Sequence, residues 1–209
     1  MYNVRAITAQ QLSCVLIPSL KNGRENRVLK SGIKMSSMNP ESLRTLLHLT
    51  ARTTFVFFVC AFAGNALRDL WPVAISAWLS RQRDWFLVAT AASHTLHLAA
   101  IIAFFHVVGW SHLRMVTLVG GGSVYLLIYG LAIVAILRLR SQKEIFLLGR
   151  LKFEALAMYL IWLIFALAFV PRMVSGWPVY SLLGFAALAA LVVRVACLVR
   201  HRRAVAAAA

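Results

Sequence analysis

The chain has 209 residues, of which 61% are hydrophobic, and its mean hydropathy is +0.79. Soluble domains are typically about 45–50% apolar, so this composition predicts an integral membrane protein and argues against a water-soluble domain. The formal net charge of +16 would suit nucleic-acid binding, but the basic residues lie between apolar blocks and at the chain ends. Membrane proteins keep cationic loops in such places, against anionic lipid. We therefore expect a lipid bilayer, and no nucleic acid, as the partner.

The first 45 residues are predicted to form a basic, disordered tail. Residues 1–37 show no sustained apolar period, and the "SCVLIPSL" run is too short to span a membrane. Most of the positive charge follows this run, whereas a secretory signal has its basic region first. The alternative is a misassigned start, with Met35 or Met38 beginning the protein. In neither case do we expect the tail to carry the core function.

Five later segments are long and apolar enough to cross a bilayer as helices, since a spanning helix needs about 20 mostly apolar residues. They cover residues 47–67, 85–108, 115–137, 153–170 and 179–199. The predicted fold class is therefore all-α: a polytopic bundle of about five transmembrane helices within residues 46–200. A basic, alanine-rich C-terminal tail is expected over residues 201–209.

The connections between these spans carry their own signals. The segment between the first two spans is too short and interrupted to cross the membrane. It contains Trp71, Trp78 and Trp85, and because Trp favours the headgroup zone, we expect it to be partly interfacial. The three glycines at 120–122 are predicted to mark a close approach between helices. The "PRMVSGWP" link is predicted to be a tight turn.

The distribution of basic residues predicts the orientation of the chain. They are concentrated in the first and third connections and at the C-terminus, whereas the second and fourth connections hold only Arg114 and Arg172. Loops rich in Lys and Arg remain in the cytoplasm. We therefore expect a bacterial inner (plasma) membrane protein with its N-terminus outside and its C-terminus in the cytoplasm, although the basic N-terminal tail conflicts with this rule.

Four histidines lie in the apolar stretch "ASHTLHLAAIIAFFHVVGWSH". At 100° per residue, His94 and His97 are about 60° apart and share a helix face. His106 follows His97 by nine residues and points to the opposite side. His112 is predicted to lie near the membrane surface if the helix continues that far. The four histidines are thus not expected to form a single site.

Two interpretations of these histidines stay open. A neutral histidine in a membrane helix can simply hydrogen-bond to a neighbouring helix. Ionisable residues within spans are costly, however, and they are functional candidates, here as haem ligands. His48, at the start of the first span, can approach from another helix. A metal site is less favoured because no carboxylate or thiol accompanies the histidines at ligand spacing.

Four stretches of the chain resemble the ferric reductase-like transmembrane domain. They are "TFVFFVCAFAGNALRDLWP", "RQRDWFLVATAASHTLHLAAI", "GGGSVYLLIYGLAIVAIL" and "LKFEALAMYLIWLIFALAF", and they cover about residues 48–170. This superfamily includes ferric reductases, the membrane domains of NADPH oxidases and the haem-binding subunit of bacterial periplasmic methionine sulfoxide reductase systems.

The resemblance implies a membrane electron-transfer subunit that binds haem b. His97 takes the position of an axial ligand, with His94 or His112 as a secondary ligand. Arg81 and Arg83 would contact a haem propionate. The sequence contains no recognisable catalytic motif and no soluble nucleotide-binding domain after the last span, so such an oxidoreductase subunit would need a separate redox partner protein as its electron donor.

The chain departs from the family's pattern at the second haem ligand. The family holds haem between two helices with a histidine from each, and the expected partner position falls near Glu154, beside Lys152. Haem binding would then use His48, open coordination or a second subunit. The family usually has six spans, whereas this chain is predicted to have five.

The alternative function is a cofactor-less, non-catalytic membrane protein that serves as a structural or interaction partner. A transporter is disfavoured because the spans lack acidic residues.

Overall fold

The computed structural model of the chain describes residues 39–109, 115–140, 148–175 and 178–208. The elements in these ranges are all helices. In chain order they are α1 (Pro40–Leu70), α2 (Ala74–Arg81), α3 (Arg83–Val108), α4 (Met115–Arg140), α5 (Leu148–Phe169), a 3-10 helix (Val170–Ser175) and α6 (Pro178–Ala208). The predicted all-α class is thus confirmed. Residues 1–38 and His112 lie outside the described ranges, and so do the predictions made for them.

Five of the described helices are long and apolar enough to cross a membrane. The candidate spans are Pro40–Leu70, Arg83–Val108, Gly121–Arg140, Phe153–Val174 and Pro178–Ala207. Many of their large apolar side chains are exposed, including Leu96, Leu126 and Leu182. So much exposed apolar surface is unfavourable in water but suits the hydrocarbon of a bilayer. The chain is therefore an integral membrane protein.

The first span begins earlier, and the last ends later, than the predicted domain limits of residues 46 and 200. The side chain of Asn39 accepts a hydrogen bond from the Glu41 amide at 3.0 Å, and Pro40 occupies the first helical turn. An Asn cap, a proline at the helix start and an acidic residue in the first turn all favour a helix start here. At the other end, α6 continues to Ala208 because the final alanines are strong helix formers.

Helix α1 is the centre of the bundle. It packs most extensively against α3 and also contacts α2, α5 and α6. Phe55, Phe58 and Phe62 of α1 are fully buried, and their spacing of three and four residues places them on one face. The rings of Phe55 and Phe58 each lie 5.4 Å from the ring of Phe165 on α5. An aromatic core thus joins α1 to α5.

The spans cross the bundle in alternating directions, which gives the bundle two chemically different ends. Side-chain hydrogen bonds between the helices show which residues share each end. We call the end that holds the start of α1 and the start of α6 the histidine end; it contains His48, His97, Arg172 and Tyr180. The opposite end, called the arginine end, contains Arg83, Arg138, Glu154 and Arg200.

Helix α2 is a short element at the arginine end. It has eight residues, too few to span, which agrees with the prediction for this connection. Trp71, Trp78 and Trp85 around it are all exposed. The backbone of α2 comes close to α1 at Gly64, where a Cβ atom would lie 3.2 Å from the Leu79 carbonyl oxygen. The glycine at this position therefore permits the close approach of the two helices.

Candidate functional site

A cavity of about 630 Å³ opens at the histidine end of the bundle. Ligand-binding cavities are typically about 300–1,000 Å³ and largely apolar, with a few polar groups. The apolar part of the lining includes Leu98, Ile101, Phe105, Ile164, Phe165 and Phe169. The polar part is His48, Arg52, His94, His97, Tyr125, Arg172 and Tyr180. Helices α1, α3, α4, α5 and α6 all contribute, so only the assembled bundle forms this cavity.

The hydrogen bonds of Thr50 favour one tautomer of His97. The Thr50 hydroxyl donates to backbone carbonyl oxygens of its own helix, at 2.8 Å from Leu46 and 3.1 Å from Leu47. Its single proton is thus used, so the Thr50 oxygen accepts the 2.9 Å hydrogen bond from Nδ1 of His97. In a neutral imidazole the lone pair then lies on Nε2. His97 is held as a side chain with one anchored nitrogen and one basic nitrogen.

His94 is the most deeply buried histidine of the cavity. Its side chain belongs to a residue that is only 8% exposed, and its ring stacks on Tyr125 at 4.0 Å and lies 5.7 Å from the ring of His97. The predicted shared face of His94 and His97 is therefore confirmed. Neither ring nitrogen of His94 has a hydrogen-bond partner among the described residues. Such a buried orphan costs about 1–3 kcal/mol and calls for an explanation, such as a bound ligand.

Two cationic side chains meet an aromatic ring beside the histidines. The guanidinium carbon of Arg52 lies 5.1 Å from the Tyr180 ring centroid, and that of Arg172 lies 5.9 Å from the same centroid. The Tyr180 hydroxyl approaches Nδ1 of His48 at 3.5 Å. Arg52 also has a buried Nε without a hydrogen-bond partner among the described residues. Positive charge and hydrogen-bond donors therefore accompany the histidines in one cavity.

Two glycines of α4 form part of the cavity wall. A Cβ atom at Gly121 or Gly122 would meet no described atom within 4 Å, and both residues line the cavity. The predicted close approach of helices at 120–122 is therefore wrong for these two positions. Here the missing side chains leave open space in the cavity instead of admitting a neighbouring helix.

At the arginine end, a network of charged residues joins three helices. Glu154 of α5 is 5% exposed and pairs with Arg83 of α3 and with Arg138 of α4, the latter at 2.9 Å. Arg138 also pairs with Asp84 of α3 at 2.8 Å. Two arginines and two carboxylates balance in charge, and a buried ion needs such partners. The network thus ties α3, α4 and α5 together.

Glu154 and the cavity histidines lie at different depths along the bundle axis. His97 follows Arg83 by fourteen residues on α3, which is about 21 Å along the helix axis. Because α5 runs in the same direction as α3, the α5 position level with His97 is near Ala168, which lines the cavity. Glu154 therefore does not lie at the depth of His97, contrary to the partner position taken from the resemblance.

The structure brings together some of the predicted site residues but not others. His94 and His97 line the cavity, whereas His112 lies outside the described residues. Arg81 is exposed on α2, Arg83 pairs with Glu154, and neither lines the cavity. Their role as propionate contacts stays a prediction.

Sequence reasoning missed Arg52, Tyr125 and Tyr180 as site residues. For Arg52 a signal was present, because it follows His48 by four residues and therefore shares its helix face within an apolar span. Tyr125 and Tyr180 carried no such signal, since Tyr is common in spans and their positions depend on how α4 and α6 pack against α3 and α1.

Three observations on the cavity lining bear on haem as a ligand. His94 and His97 offer basic imidazole nitrogens on α3, His48 adds one from α1, and the wall at Gly121 is open. Imidazole is a common haem ligand. A site for a bare metal ion is a different matter: within the described ranges, no group of three or more His, Cys, Asp or Glu residues is arranged to hold one.

Comparison with known proteins adds no relative. The chain matches no family model, no curated protein and no solved structure. The geometry of the histidine cavity is therefore what carries the assignment of a function.

Proposed function

We propose that this integral membrane protein is a divergent ferric reductase-like electron-transfer subunit that binds haem b in the histidine cavity. The observation that carries the proposal is that one cavity is lined by His48 of α1 and by His94 and His97 of α3. Two helices thus supply histidines to one apolar cavity in a chain that has only six histidines. The motifs that resemble the family cover the same helices.

His97 would bind the haem iron in this proposal. A ligating histidine must be neutral, and it usually donates its other ring N–H to a nearby acceptor, which fixes the ring. Thr50 supplies that acceptor by binding Nδ1 of His97, and this leaves Nε2 for the iron. The same bond holds the ring in one orientation before any ligand arrives.

His48 and His94 are the candidates for the second ligand. His48 lies on a different helix from His97, as a haem clamp between two helices requires, and it lines the same cavity. His94 is on the same helix as His97, but neither of its ring nitrogens has a hydrogen-bond partner in the described part of the chain. The family's usual second ligand would come from α5, where Phe165 and Ala168 line the cavity instead.

A bound haem would supply reversible one-electron transfer. The protein's part would be to bind and orient the haem and to exclude water from it by means of the apolar wall. Electrons would pass to and from a separate redox partner protein.

The alternative is a cofactor-less membrane protein that keeps the fold and serves as a structural or interaction partner. One observation favours it: α4, α5 and α6 contribute no histidine to the cavity among the described residues. Under this alternative the stack of His94 on Tyr125 and the bond of His97 to Thr50 are helix-packing contacts.

An absorption spectrum of the detergent-purified protein, expressed with ample haem, separates the two. A Soret band that is lost in His97→Ala and weakened or shifted in His48→Ala supports haem ligation. His106→Ala is the matched control, because His106 is on α3 but is exposed and does not line the cavity. A colourless wild-type protein would contradict haem binding and favour the alternative.

We also propose that the arginine end faces the cytoplasm of a bacterial cell. Exposed basic residues are concentrated there, namely Arg68, Arg81, Arg140, Arg200, Arg202 and Arg203. The N-terminus would then lie outside and the C-terminus inside.

A further inference from the structure

Among the described residues, the lining of the histidine cavity includes two arginines, Arg52 and Arg172, and no carboxylate. Arg52 and Arg172 both lie within 6 Å of the Tyr180 ring centroid. Arg172 donates from Nη1 to the Ala168 carbonyl oxygen at 2.8 Å. The Nε of Arg52 is buried and has no hydrogen-bond partner among the described residues. Contact with an aromatic face stabilises a cation, but it does not neutralise the charge.

The carboxylates of the described residues lie elsewhere. Asp69, Asp84 and Glu154 are at the arginine end, and Glu41 is in the first turn of α1. Glu41 precedes Arg52 by eleven residues, which is about 16 Å along the helix. Within the described chain, therefore, no acidic side chain sits at the depth of Arg52 to balance its charge.

We propose that Arg52 and Arg172 form an anion subsite beside Tyr180, at which the acidic group of an apolar ligand binds. The body of that ligand would lie against the apolar wall, which includes Leu98, Ile101 and Phe165. Arginine is well suited to this role because its planar fork of donors matches a carboxylate or a phosphate, and because hydrogen bonds to ionised groups are roughly twice as strong as neutral ones.

The chemistry of this subsite has two sources of ligand: the propionates of a haem and the head group of an acidic lipid. Both join an apolar body to an anionic group. The haem source rests on the proposed function, whereas the anion subsite itself does not require it. The two sources can be separated by experiment.

The first experiment tests the subsite without haem. The apo protein in a neutral detergent is titrated with a fluorescent fatty acid and, separately, with its methyl ester, which has the same apolar body but no charge. We expect the acid to bind at least tenfold more tightly than the ester. Arg52→Gln should abolish this preference, and Arg52→Lys, which keeps the charge, should retain part of it. Equal binding of acid and ester, or an unchanged preference in Arg52→Gln, would overturn the proposal.

Arg44→Gln provides the matched control. Arg44 is an exposed arginine on the same helix, 6.0 Å from the Phe104 ring centroid, and it does not line the cavity. It should retain the full preference for the acid. Thermal unfolding is measured for each variant to verify that the variant is folded. If Arg52→Gln does not fold, Arg172→Gln is used in its place.

The second experiment uses haem and its dimethyl ester, whose propionates are masked. If haem produces a Soret band and the ester binds at least tenfold more weakly in the wild type but not in Arg52→Gln, the propionates occupy the subsite. If both bind equally while the fatty acid still prefers Arg52, the occupant is an acidic lipid. If neither haem nor its dimethyl ester produces a Soret band, the proposed function fails. The fatty-acid titration then still decides whether the subsite binds anions. If haem binds, but the fatty acid binds no better than its methyl ester and haem no better than its dimethyl ester, the anion subsite is refuted and the proposed function is not.

Discussion

Nδ1 of His97 and the Thr50 hydroxyl oxygen form a 2.9 Å hydrogen bond, which joins α3 to α1 inside the bundle. One turn further along, the Ser93 and Thr54 hydroxyls meet at 2.9 Å between the same helices. The Thr54 hydroxyl donates to the Thr50 carbonyl oxygen at 2.8 Å, so it accepts from Ser93. Two hydrogen bonds thus set the rotation of α3 and keep His97 at the cavity.

Replacing Thr50 by valine should free the His97 ring at constant side-chain size. The lost hydrogen bond should lower the free energy of unfolding by about 1 kcal/mol. If haem binds, its affinity should fall about 10- to 100-fold, the range seen when the hydrogen-bond partner of a ligating histidine is removed. Thermal unfolding and a haem titration followed at the Soret band measure the two effects.

Thr53→Val is the control for this substitution. Thr53 is exposed on the same helix and donates only to the Leu49 carbonyl oxygen, at 3.0 Å. It should leave both haem affinity and stability nearly unchanged. If Thr50→Val and Thr53→Val behaved alike, the His97–Thr50 bond would have no role in orienting the ring.

Glu154→Gln should be strongly destabilising. The substitution leaves Arg83 and Arg138 partly buried without their shared carboxylate. Removing one partner of a buried ion pair typically costs about 3–5 kcal/mol, because the remaining charge is uncompensated. Thermal unfolding in detergent should show a large fall in the midpoint, with little change in any spectrum that reports on the distant histidine cavity.

Asp69→Asn tests whether that cost depends on burial. Asp69 pairs with Arg68 at 3.1 Å, but both side chains are half exposed. Surface pairs of this kind contribute about 0–1 kcal/mol. A loss of stability in Asp69→Asn as large as that in Glu154→Gln would show that the cost of removing the carboxylate does not depend on its burial.

The five spans could be predicted from the sequence because length and apolar composition suffice to define them. The sequence predicts the start of the first span too late, at residue 47, since the apolar run begins after the "NPES" signal that caps the helix at Asn39. The pairing of His94 with His97 followed from their spacing on one helix.

The rest of the site depends on contacts between helices, which spacing along one helix cannot supply. The meeting of His48, Arg52 and Tyr180 requires α1 to lie beside α6. Gly121 carried a misleading signal, because small residues in a span can mark either a helix contact or the wall of a cavity. The position near Glu154 that the resemblance gives for a second haem ligand is counted along one motif. The ion pair between Glu154 and Arg83 shows that this position lies at the arginine end, away from His97.

Two glycine substitutions should differ in their effect on stability. A Cβ atom at Gly64 would lie 3.2 Å from the Leu79 carbonyl oxygen and 3.5 Å from the Ser80 amide nitrogen, both backbone atoms of α2 that cannot rotate away. Gly64→Ala should therefore destabilise the fold by about 1–3 kcal/mol, as overpacking does. Gly122→Ala meets no described atom and should be neutral or slightly stabilising. Thermal unfolding of the two variants makes the comparison.

The orientation of the chain can be tested with fusions to reporters that work on only one side of the membrane. Alkaline phosphatase fused after residue 110 should be active, since this connection is expected outside. A fluorescent protein that folds only in the cytoplasm should fluoresce when fused after residue 143 or after residue 209. Phosphatase activity at the C-terminus would contradict the proposed orientation.

Gly121→Leu should close the histidine cavity without unfolding the bundle. The position lines the cavity, and a Cβ atom there would meet no described atom within 4 Å, so a larger side chain has room to enter the open space. Leucine is also a stronger helix former than glycine, so the thermal midpoint should not fall. We expect haem or fatty-acid binding to drop at least tenfold, while Gly130→Ala, whose Cβ would meet only the Phe153 ring at 3.5 Å, should bind normally. Full binding by a stably folded Gly121→Leu would mean that the ligand lies outside this cavity.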